Sequence, residues 1–199
     1  MQNMNAVKVA QKLLKDKVKQ ASLVLDATMG NGSDTLFLAE QTPPEALVYA
    51  FDIQKTAIEK TREQIVQNNW AHKVHLILDS HANMNKYLPD NQKLDVVMFN
   101  LGYLPGGSHS LVTKAESTVM AIKKAVARLA VGGRISIVAY TRHNGGQEET
   151  LAVEQFVSSL PQNIFTVACW QTINHVNYPP KLYIIEKMRG EMFEGDTSF

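Results

Sequence analysis

The sequence is poor in cysteine, carries almost no net charge and has no long apolar run, and each absence excludes a class of protein. Cys169 is the one cysteine in 199 residues, so no internal disulfide framework can form, and we expect the reducing cytoplasm. No apolar run approaches the ~20 residues of a membrane-spanning helix, and we find no signal-peptide pattern, so no membrane partner is expected. A net charge of +1 neither favours nor excludes a nucleic-acid partner, because a local basic patch can still bind a polyanion.

Metal-ligand spacing, internal repeats, low-complexity segments and linkers are missing as well. No set of histidines, cysteines and acids is spaced like metal ligands, so we expect no metal cofactor. A chain of this length suits one domain with one core. We therefore expect a single domain over residues 1–199 with a loose tail over 190–199, and Cys169 as a small core residue of a late strand. The oligomeric state stays open, a homodimer included.

What the sequence does contain is a strand, a tight turn and a helix over residues 23–39. Leu23–Asp26 is an apolar run that ends in an acid. Gly30 and Gly32 then allow a sharp bend and a close approach of a ligand to the backbone, where the helix offers free N–H groups. The apolar positions of that helix are Leu36, Phe37 and Ala39.

The spacing of the glycines helps to choose between two ligands. Dinucleotide sites need G-x-G-x-x-G, but Thr35 stands where the third glycine would be. Asp26 would repel a diphosphate and could pair with an ammonium group. D-A-T-M-G-N-G therefore resembles the first motif of class I methyltransferases, whose ligand is S-adenosylmethionine. A structural turn with no ligand is the alternative.

Two further strands deliver acids to the same edge of the predicted sheet. Leu47–Asp52 ends about twenty residues after the glycines, where a Rossmann-like fold places a carboxylate on the ribose hydroxyls. Asp79 follows the third strand, Val74–Leu78, and is expected at the adenine edge. The candidate donor-binding residues are Asp26, Thr28, Gly30, Asn31, Gly32, Asp34, Asp52, Ile53, Gln54, Asp79, Ser80, His81 and Asn100.

The fourth apolar run, Leu94–Phe99, leads into a loop that we expect to face the methyl donor, since ligands collect beyond the carboxyl ends of strands in open α/β sheets. The loop begins Asn100-Leu-Gly-Tyr103, which resembles the N-P-P-Y motif of methyltransferases that modify nitrogen. In that motif the Asn oxygen accepts from the amine and the aromatic ring packs on the base. The two prolines are missing here. The alternative is that Asn100 caps a turn and Tyr103 only packs.

The rest of the chain completes the predicted sheet. A helix that opens at 112–116 is expected to end at a C-cap formed by Gly132 and Gly133, before a fifth strand, Arg134–Tyr140. Ile164–Thr172 and Leu182–Glu186 predict a final hairpin. We expect an α/β, Rossmann-like class I methyltransferase fold, with a seven-stranded, mostly parallel sheet in the order 3-2-1-4-5-7-6, strand seven antiparallel, and helices on both faces.

Residues 1–21 predict an amphipathic helix with a basic outer face, because apolar residues recur at helical spacing and Asp16 is the single acid. Such a face is most often only solvated, and contact with phosphates is the alternative. Its lysines are Lys8, Lys12, Lys15, Lys17 and Lys19.

Four blocks taken together resemble one family. They are D-A-T-M-G-N-G-x-D-T-L-F-L-A from Asp26, F-D-I-Q at 51–54, N-L-G-Y-L-P-G-G at 100–107 and Y-x-x-H-x-G-G-x-E-E at 140–149. The family is a small bacterial one labelled rRNA methylases, whose members are tRNA wobble-uridine methyltransferases. They convert 5-aminomethyl-2-thiouridine to its methylaminomethyl form. The sequence departs from the family at Ser33, where His is usual, and at Arg142-His143, where Gly-His is commoner.

The resemblance implies S-adenosylmethionine as donor, S-adenosylhomocysteine as product and a tRNA anticodon stem-loop as partner. An aliphatic amine is protonated at neutral pH, so the site must favour its neutral form. Asn100 would accept from the amine, Tyr103 and Leu104 would desolvate it, and Asp34 or His143 would take the released proton. The candidate catalytic residues are Asn100, Tyr103, His143 and Asp34.

An anticodon base is recognised in single-stranded form by stacking and by hydrogen bonds to its edges. The candidate RNA contacts are Tyr103, Leu104, Gly106, Gly107, Arg142, His143, Tyr178, Lys8, Lys12 and Lys15. His81 and His143 also fit plain structural roles. Other functions stay open: methylation of rRNA, of a small amine or of a protein side chain, NAD-type Rossmann chemistry, or a binding module without catalysis.

Overall fold

The computed structural model describes residues 5–102, 113–142, 145–175 and 179–189. The strands among these residues are β1 (Leu23–Asp26), β2 (Leu47–Asp52), β3 (Val74–Leu78), β4 (Leu94–Leu101), β5 (Leu129–Ala139), β6 (Phe165–Trp170) and β7 (Lys181–Lys187). The helices are α1 (Ala6–Val18), α2 (Ser33–Gln41), α3 (Lys55–Gln67), α4 (Ala115–Arg128), α5 (Gly146–Ser158) and a short 3₁₀ helix over His81–Lys86.

The strands form one sheet in the order β3-β2-β1-β4-β5-β7-β6, and β7 runs antiparallel to both of its neighbours. The predicted topology is therefore confirmed. β1 is buried along its whole length, as expected for a parallel strand covered on both faces. Asp26 pairs in register with Ala50 and Met98, so the acid that ends β1 lies at the carboxyl edge of the sheet.

Helices cover both faces of the sheet, each over its own apolar cluster. α1 and α2 pack on one face through residues such as Leu14 and Leu38. α4 and α5 pack on the other face, where Ile122 and Phe156 meet the largest cluster. α1 begins at Asn5, whose side chain accepts the backbone N–H of Lys8 at 2.9 Å. The predicted helix over 1–21 is thus present over 6–18.

The predicted helix C-cap at Gly132 and Gly133 is wrong. α4 already ends at Arg128, and β5 begins at the next residue. Leu94 pairs with Leu129 but Val96 pairs with Arg134, so the residues between them bulge out of β5. A Cβ on Gly133 would lie 2.8 Å from the Ala130 carbonyl oxygen and 3.0 Å from that of Leu94. The two glycines therefore serve a bulge in a strand.

Other expectations about burial also need correction. Cys169 is exposed, because β6 is the edge strand of the sheet. On α2 the buried positions include Thr35 and Leu38, while Leu36 and Phe37 are only partly buried. The tail over 190–199 lies outside the described residues. None of the helices that the structure describes is long and apolar enough to cross a membrane.

Candidate active site

The glycine turn after β1 brings the start of α2 close to the end of β2. Gly30 and Gly32 both have positive φ, at 54° and 86°. A Cβ on Gly32 would lie 2.8 Å from the Thr61 hydroxyl oxygen on α3, so the close packing of α2 on α3 depends on this glycine. The Gly30 N–H donates to Asp52 Oδ2 at 2.9 Å and so ties the turn to β2.

Asp26 is fully buried beneath this turn. Its carboxylate accepts hydrogen bonds from the Thr28 N–H at 3.1 Å and from the Thr35 hydroxyl at 2.6 Å. Burial raises the pKa of Asp26 to about 7, with a further contribution from the nearby Asp34 carboxylate. Because ionisation of Asp26 costs free energy in this buried position, a nearby cation would strongly stabilise its ionised form.

Asp34 joins three elements at the start of α2. It is 6% exposed, and its Oδ1 accepts from Gln11 Nε2 on α1 at 2.7 Å. Its Oδ2 accepts from Asn100 Nδ2 on β4 at 3.3 Å. Burial raises the pKa of Asp34, against the lowering effect of these two amide donors. Asp34 therefore links the first helix of the chain to the end of the fourth strand.

Asn100 is the seventh residue of β4 and precedes the loop predicted to face the substrate. Its backbone N–H donates to the Thr28 hydroxyl at 2.6 Å, which fixes the strand end against the turn after β1. Because an ionised Asp34 can only accept, the Asn100 amide turns its NH₂ group toward Asp34. Among the residues that the structure describes, none donates to Asn100 Oδ1, so this atom can accept from another group.

Asp52 and Asp79 end the next two strands in different environments. Asp52 accepts from the N–H groups of Gly30 and Gln54, and burial raises its pKa. The side chain of Asp79 accepts from Asn83 Nδ2 at 2.9 Å and from the Tyr87 hydroxyl at 2.8 Å. These two hydrogen bonds lower the pKa of Asp79. Both acids lie at the predicted edge, and their neighbours hold them in fixed orientations.

His81 lies directly under the turn after β1. Its Nδ1 is 3.1 Å from the Ala27 carbonyl oxygen, and its ring meets Phe99 edge-on with the centroids 6.0 Å apart. Burial lowers the pKa of His81, so the ring is neutral at physiological pH and donates through Nδ1. The Nε2 atom is buried without a hydrogen-bond partner among the described residues.

Several predicted site residues lie outside the described residues: Tyr103, Leu104, Gly106, Gly107, His143 and Tyr178. Arg142 is described and exposed. Asn31 Oδ1 accepts from Lys60 Nζ at 2.9 Å at the turn. Ile53 is 55% exposed beside Asp52, which makes it an apolar surface at the edge of the sheet.

Sequence reasoning missed two polar residues that hold the site together. Gln11 is a polar residue beside the apolar stripe of α1, and nothing in the spacing pointed to Asp34 as its partner. Glu149, in the first turn of α5, is 1% exposed and accepts from the hydroxyls of Thr113 and Thr118 at 2.7 and 2.6 Å. It belongs to the predicted Y-x-x-H-x-G-G-x-E-E block, but its spacing did not indicate burial.

The chemistry of this edge suits a cationic ligand. Asp26, Asp34 and Asp52 are acids of raised pKa around one glycine turn, and a sulfonium or an ammonium group would stabilise their ionised forms. Among the described residues, no group of three or more histidines, cysteines and acids could hold a metal ion.

The sheet order and the acids at its carboxyl edge define a class I methyltransferase, the class that uses S-adenosylmethionine as methyl donor. Residues 48–186 match the family described as "Putative rRNA methylase", and the chain belongs to that family. The methyltransferase class expected from the glycine turn is therefore confirmed.

Relatives with solved structures or known names agree with this family. The "putative rRNA-methylase" of Clostridium thermocellum is 40% identical with a TM-score of 0.89, covering 94% of this chain and 100% of that one. A Streptococcus mutans protein, described as a "putative methyltransferase" and solved with S-adenosylhomocysteine, is 41% identical with a TM-score of 0.81, covering 93% and 99%. The chloroplastic tRNA (mnm(5)s(2)U34)-methyltransferase of Arabidopsis thaliana is 36% identical over 190 residues, which cover 92% of this chain and 69% of that protein.

Proposed function

We propose that this protein methylates the amine of 5-aminomethyl-2-thiouridine at the wobble position of tRNA and forms the 5-methylaminomethyl nucleoside. The observation that carries the proposal is the 36% identity, over 92% of the chain, to a tRNA (mnm(5)s(2)U34)-methyltransferase. The Asn100 amide supports it, because its free oxygen lies at the strand end where a methyltransferase receives its acceptor.

The acids at the carboxyl edge would hold the methyl donor, which supplies an electrophilic methyl group on a positively charged sulfur. Asp52 would accept from the ribose hydroxyls and Asp79 from the adenine amine. Asp26, the most buried of the three, would compensate the positive charge of the donor from below the glycine turn. The backbone N–H groups at the start of α2 face the same space and suit a carboxylate.

Asn100 would accept a hydrogen bond from the amine and hold its lone pair toward the methyl group. The acceptor has to be neutral, because a protonated amine has no lone pair to form the new N–C bond. As that bond forms, the bond between the methyl carbon and the sulfur breaks, S-adenosylhomocysteine leaves with the electron pair on its sulfur, and one amine proton is released. Asp34 or His143 would take it directly. Burial raises the pKa of Asp34, which lies beside Asn100. His143, Tyr103 and Leu104 keep the roles predicted from the sequence.

Methyl transfer with purified components tests the proposal. The protein, S-adenosylmethionine and tRNA from a strain without this gene would be incubated, and the nucleosides would be identified by mass spectrometry after digestion. We expect loss of 5-aminomethyl-2-thiouridine and gain of the methylaminomethyl form. An Asn100→Ala protein serves as the negative control. Unchanged wobble nucleosides would contradict the proposal.

A second candidate is an rRNA nucleotide, which the family description favours. The same assay with ribosomal RNA from the strain without the gene separates the two candidates. Methylation of rRNA with no change at the wobble position would establish the second candidate. A cytoplasmic location, a single folding domain and a homodimer stay predictions, and light scattering of the purified protein measures the last.

A further inference from the structure

An open cleft of about 400 Å³ lies along the outer face of α2, outside the predicted donor site. Phe37 and Trp70 form part of its wall, and each is partly buried against the apolar cluster beneath α1 and α2 and partly exposed. Aromatic side chains exposed in a cleft are the surfaces on which single-stranded bases stack.

The cleft also offers polar atoms that suit the edge of a base. Ser33 and Gln11 line it together with Trp70. The Ser33 side chain, with its hydroxyl, is exposed, and the Trp70 side chain, with its indole N–H, is partly exposed in the cleft wall. The Gln11 amide donates to Asp34, which leaves its oxygen as an acceptor. Nucleobases present donors and acceptors of the same kind on their exposed edges.

Charge favours a base inside the cleft and phosphates beside it. None of the described residues that line the cleft is a lysine or an arginine, and Glu40 would repel a phosphate there. Lys8 and Lys15 stand three residues before and four residues after Gln11, so they flank it on the surface of α1. Neither lysine forms an ion pair with any described residue. The basic face of α1 is therefore positioned to meet the backbone of an RNA strand whose base enters the cleft.

One side chain connects the cleft to the predicted catalytic residues. Gln11 lines the cleft and donates to Asp34, and Asp34 accepts from Asn100. From Ser33 the cleft follows α2 to Glu40, which is about two helical turns. A strand that places one amine at Asn100 can thus place a neighbouring base beside Gln11.

We propose that this cleft binds the base of a nucleotide adjacent to the methylated one, in the same single-stranded loop of RNA. The proposal rests on the proposed function, because it names a second contact of the same RNA. The base stacks on Trp70 and Phe37, and the flanking phosphates lie over Lys8 and Lys15.

A double-mutant cycle between the protein and the RNA tests this subsite. The RNA is an anticodon stem-loop with 5-aminomethyl-2-thiouridine at the wobble position, made also with an abasic residue on its 5′ or its 3′ side. Binding to the protein with S-adenosylhomocysteine is followed by fluorescence anisotropy at fixed salt. The variants are Trp70→Ala, Trp70→Phe and, as a surface control on α5, Leu151→Ala, whose side chain is 59% exposed.

We expect Trp70→Ala to weaken binding of the intact RNA about tenfold, and Trp70→Phe to bind like the wild type. One of the two abasic RNAs should bind the wild type about tenfold more weakly and show no further loss with Trp70→Ala. The subsite does not exist if Trp70→Ala binds the intact RNA like the wild type. It is also excluded if, for both abasic RNAs, Trp70→Ala raises the Kd by the same factor as it does for the intact RNA.

The free nucleoside separates this proposal from the proposed function. It has no neighbouring base, so Trp70→Ala should methylate 5-aminomethyl-2-thiouridine at the wild-type rate. A reduced rate would show that Trp70 acts through the fold, which overturns the subsite. RNA binding without any methyl transfer by the wild type would contradict the proposed function alone, while absence of RNA binding would contradict both.

Discussion

At the scale of single residues, the unusual feature is a fully buried aspartate whose hydrogen-bond donors are uncharged and whose charged neighbours are two other aspartates. Asp26 has two hydrogen-bond donors, but burial still raises its pKa from 3.8 to about 7. A carboxyl whose pKa is higher in the folded than in the unfolded state favours folding while it is protonated. Its stabilising effect is complete below about pH 4 and is lost as the pH rises toward 7.

Asp26→Asn should therefore flatten the dependence of stability on pH. We expect the wild type without ligand to lose about 2 kcal/mol of unfolding free energy between pH 5 and pH 8 from this group, and Asp26→Asn to lose much less. Urea unfolding at the two pH values measures the difference. Glu154→Gln is the control. The hydrogen bond from Lys181 lowers the pKa of Glu154, so the stabilisation that Glu154 contributes is lost as the pH falls and not as it rises. An equal slope in the wild type and Asp26→Asn would show that Asp26 ionises normally.

Asn100→Ala should reduce turnover about 10²-fold and leave the affinity for S-adenosylhomocysteine largely intact. The reason is that Asn100 is proposed to orient the acceptor amine through its side chain, while its backbone N–H can still donate to Thr28 after the substitution. Steady-state kinetics and calorimetric titration give the two quantities. Asn163→Ala, at an exposed asparagine before β6, is the control. Turnover close to that of the control would remove Asn100 from the mechanism.

Single-residue roles were only partly predictable from the sequence. Asp26, Asp52 and Asp79 were predicted at the edge because each ends or follows an apolar run, and strand ends meet at one edge of a parallel sheet. The contact of Gln11 with Asp34 joins residues 23 positions apart, and only the packing of α1 on α2 brings them together. Local spacing carries no information about such a pair.

At the scale of elements, the strands of the parallel half were predictable and the helix ends were less so. β1, β2 and β3 match the predicted runs, because short apolar runs bounded by turn residues are typical of strands in an α/β sheet. β3 is the edge strand and is only partly buried. α4 ends before Gly132, since Leu129 is needed in β5 to pair with Leu94. A glycine pair after a helical pattern does not distinguish a C-cap from a bulge.

The basic face of α1 makes a prediction of its own. Replacing Lys8, Lys12 and Lys15 by Glu should weaken RNA binding. The plot of log affinity against log salt concentration should also become less steep by about 2, because each lost phosphate contact of a single strand contributes ~0.7 to the slope. The control reverses Arg62, Lys93 and Arg189, which changes the net charge by the same amount. Equal slopes for the two variants would leave α1 with a packing role only.

At the scale of the whole molecule, the ligand should stabilise the fold, because the proposed donor site combines the ends of β1, β2 and β3 with the start of α2. S-adenosylhomocysteine at 100 times its Kd should add about 2.7 kcal/mol to the unfolding free energy, and NAD should add nothing. Thermal unfolding with each ligand measures this, and Asp52→Asn should remove most of the gain. A larger effect of NAD would assign the site to a dinucleotide.

We propose that the donor lies across the strand ends with its methyl group directed at a nitrogen held by Asn100. A crystal structure with S-adenosylhomocysteine and the anticodon stem-loop tests it most directly. We predict the amine nitrogen about 3 Å from Asn100 Oδ1, on the side facing the sulfur, with Asp52 on the ribose. A wobble amine bound away from Asn100, or a sulfur that faces another group, would contradict the claim.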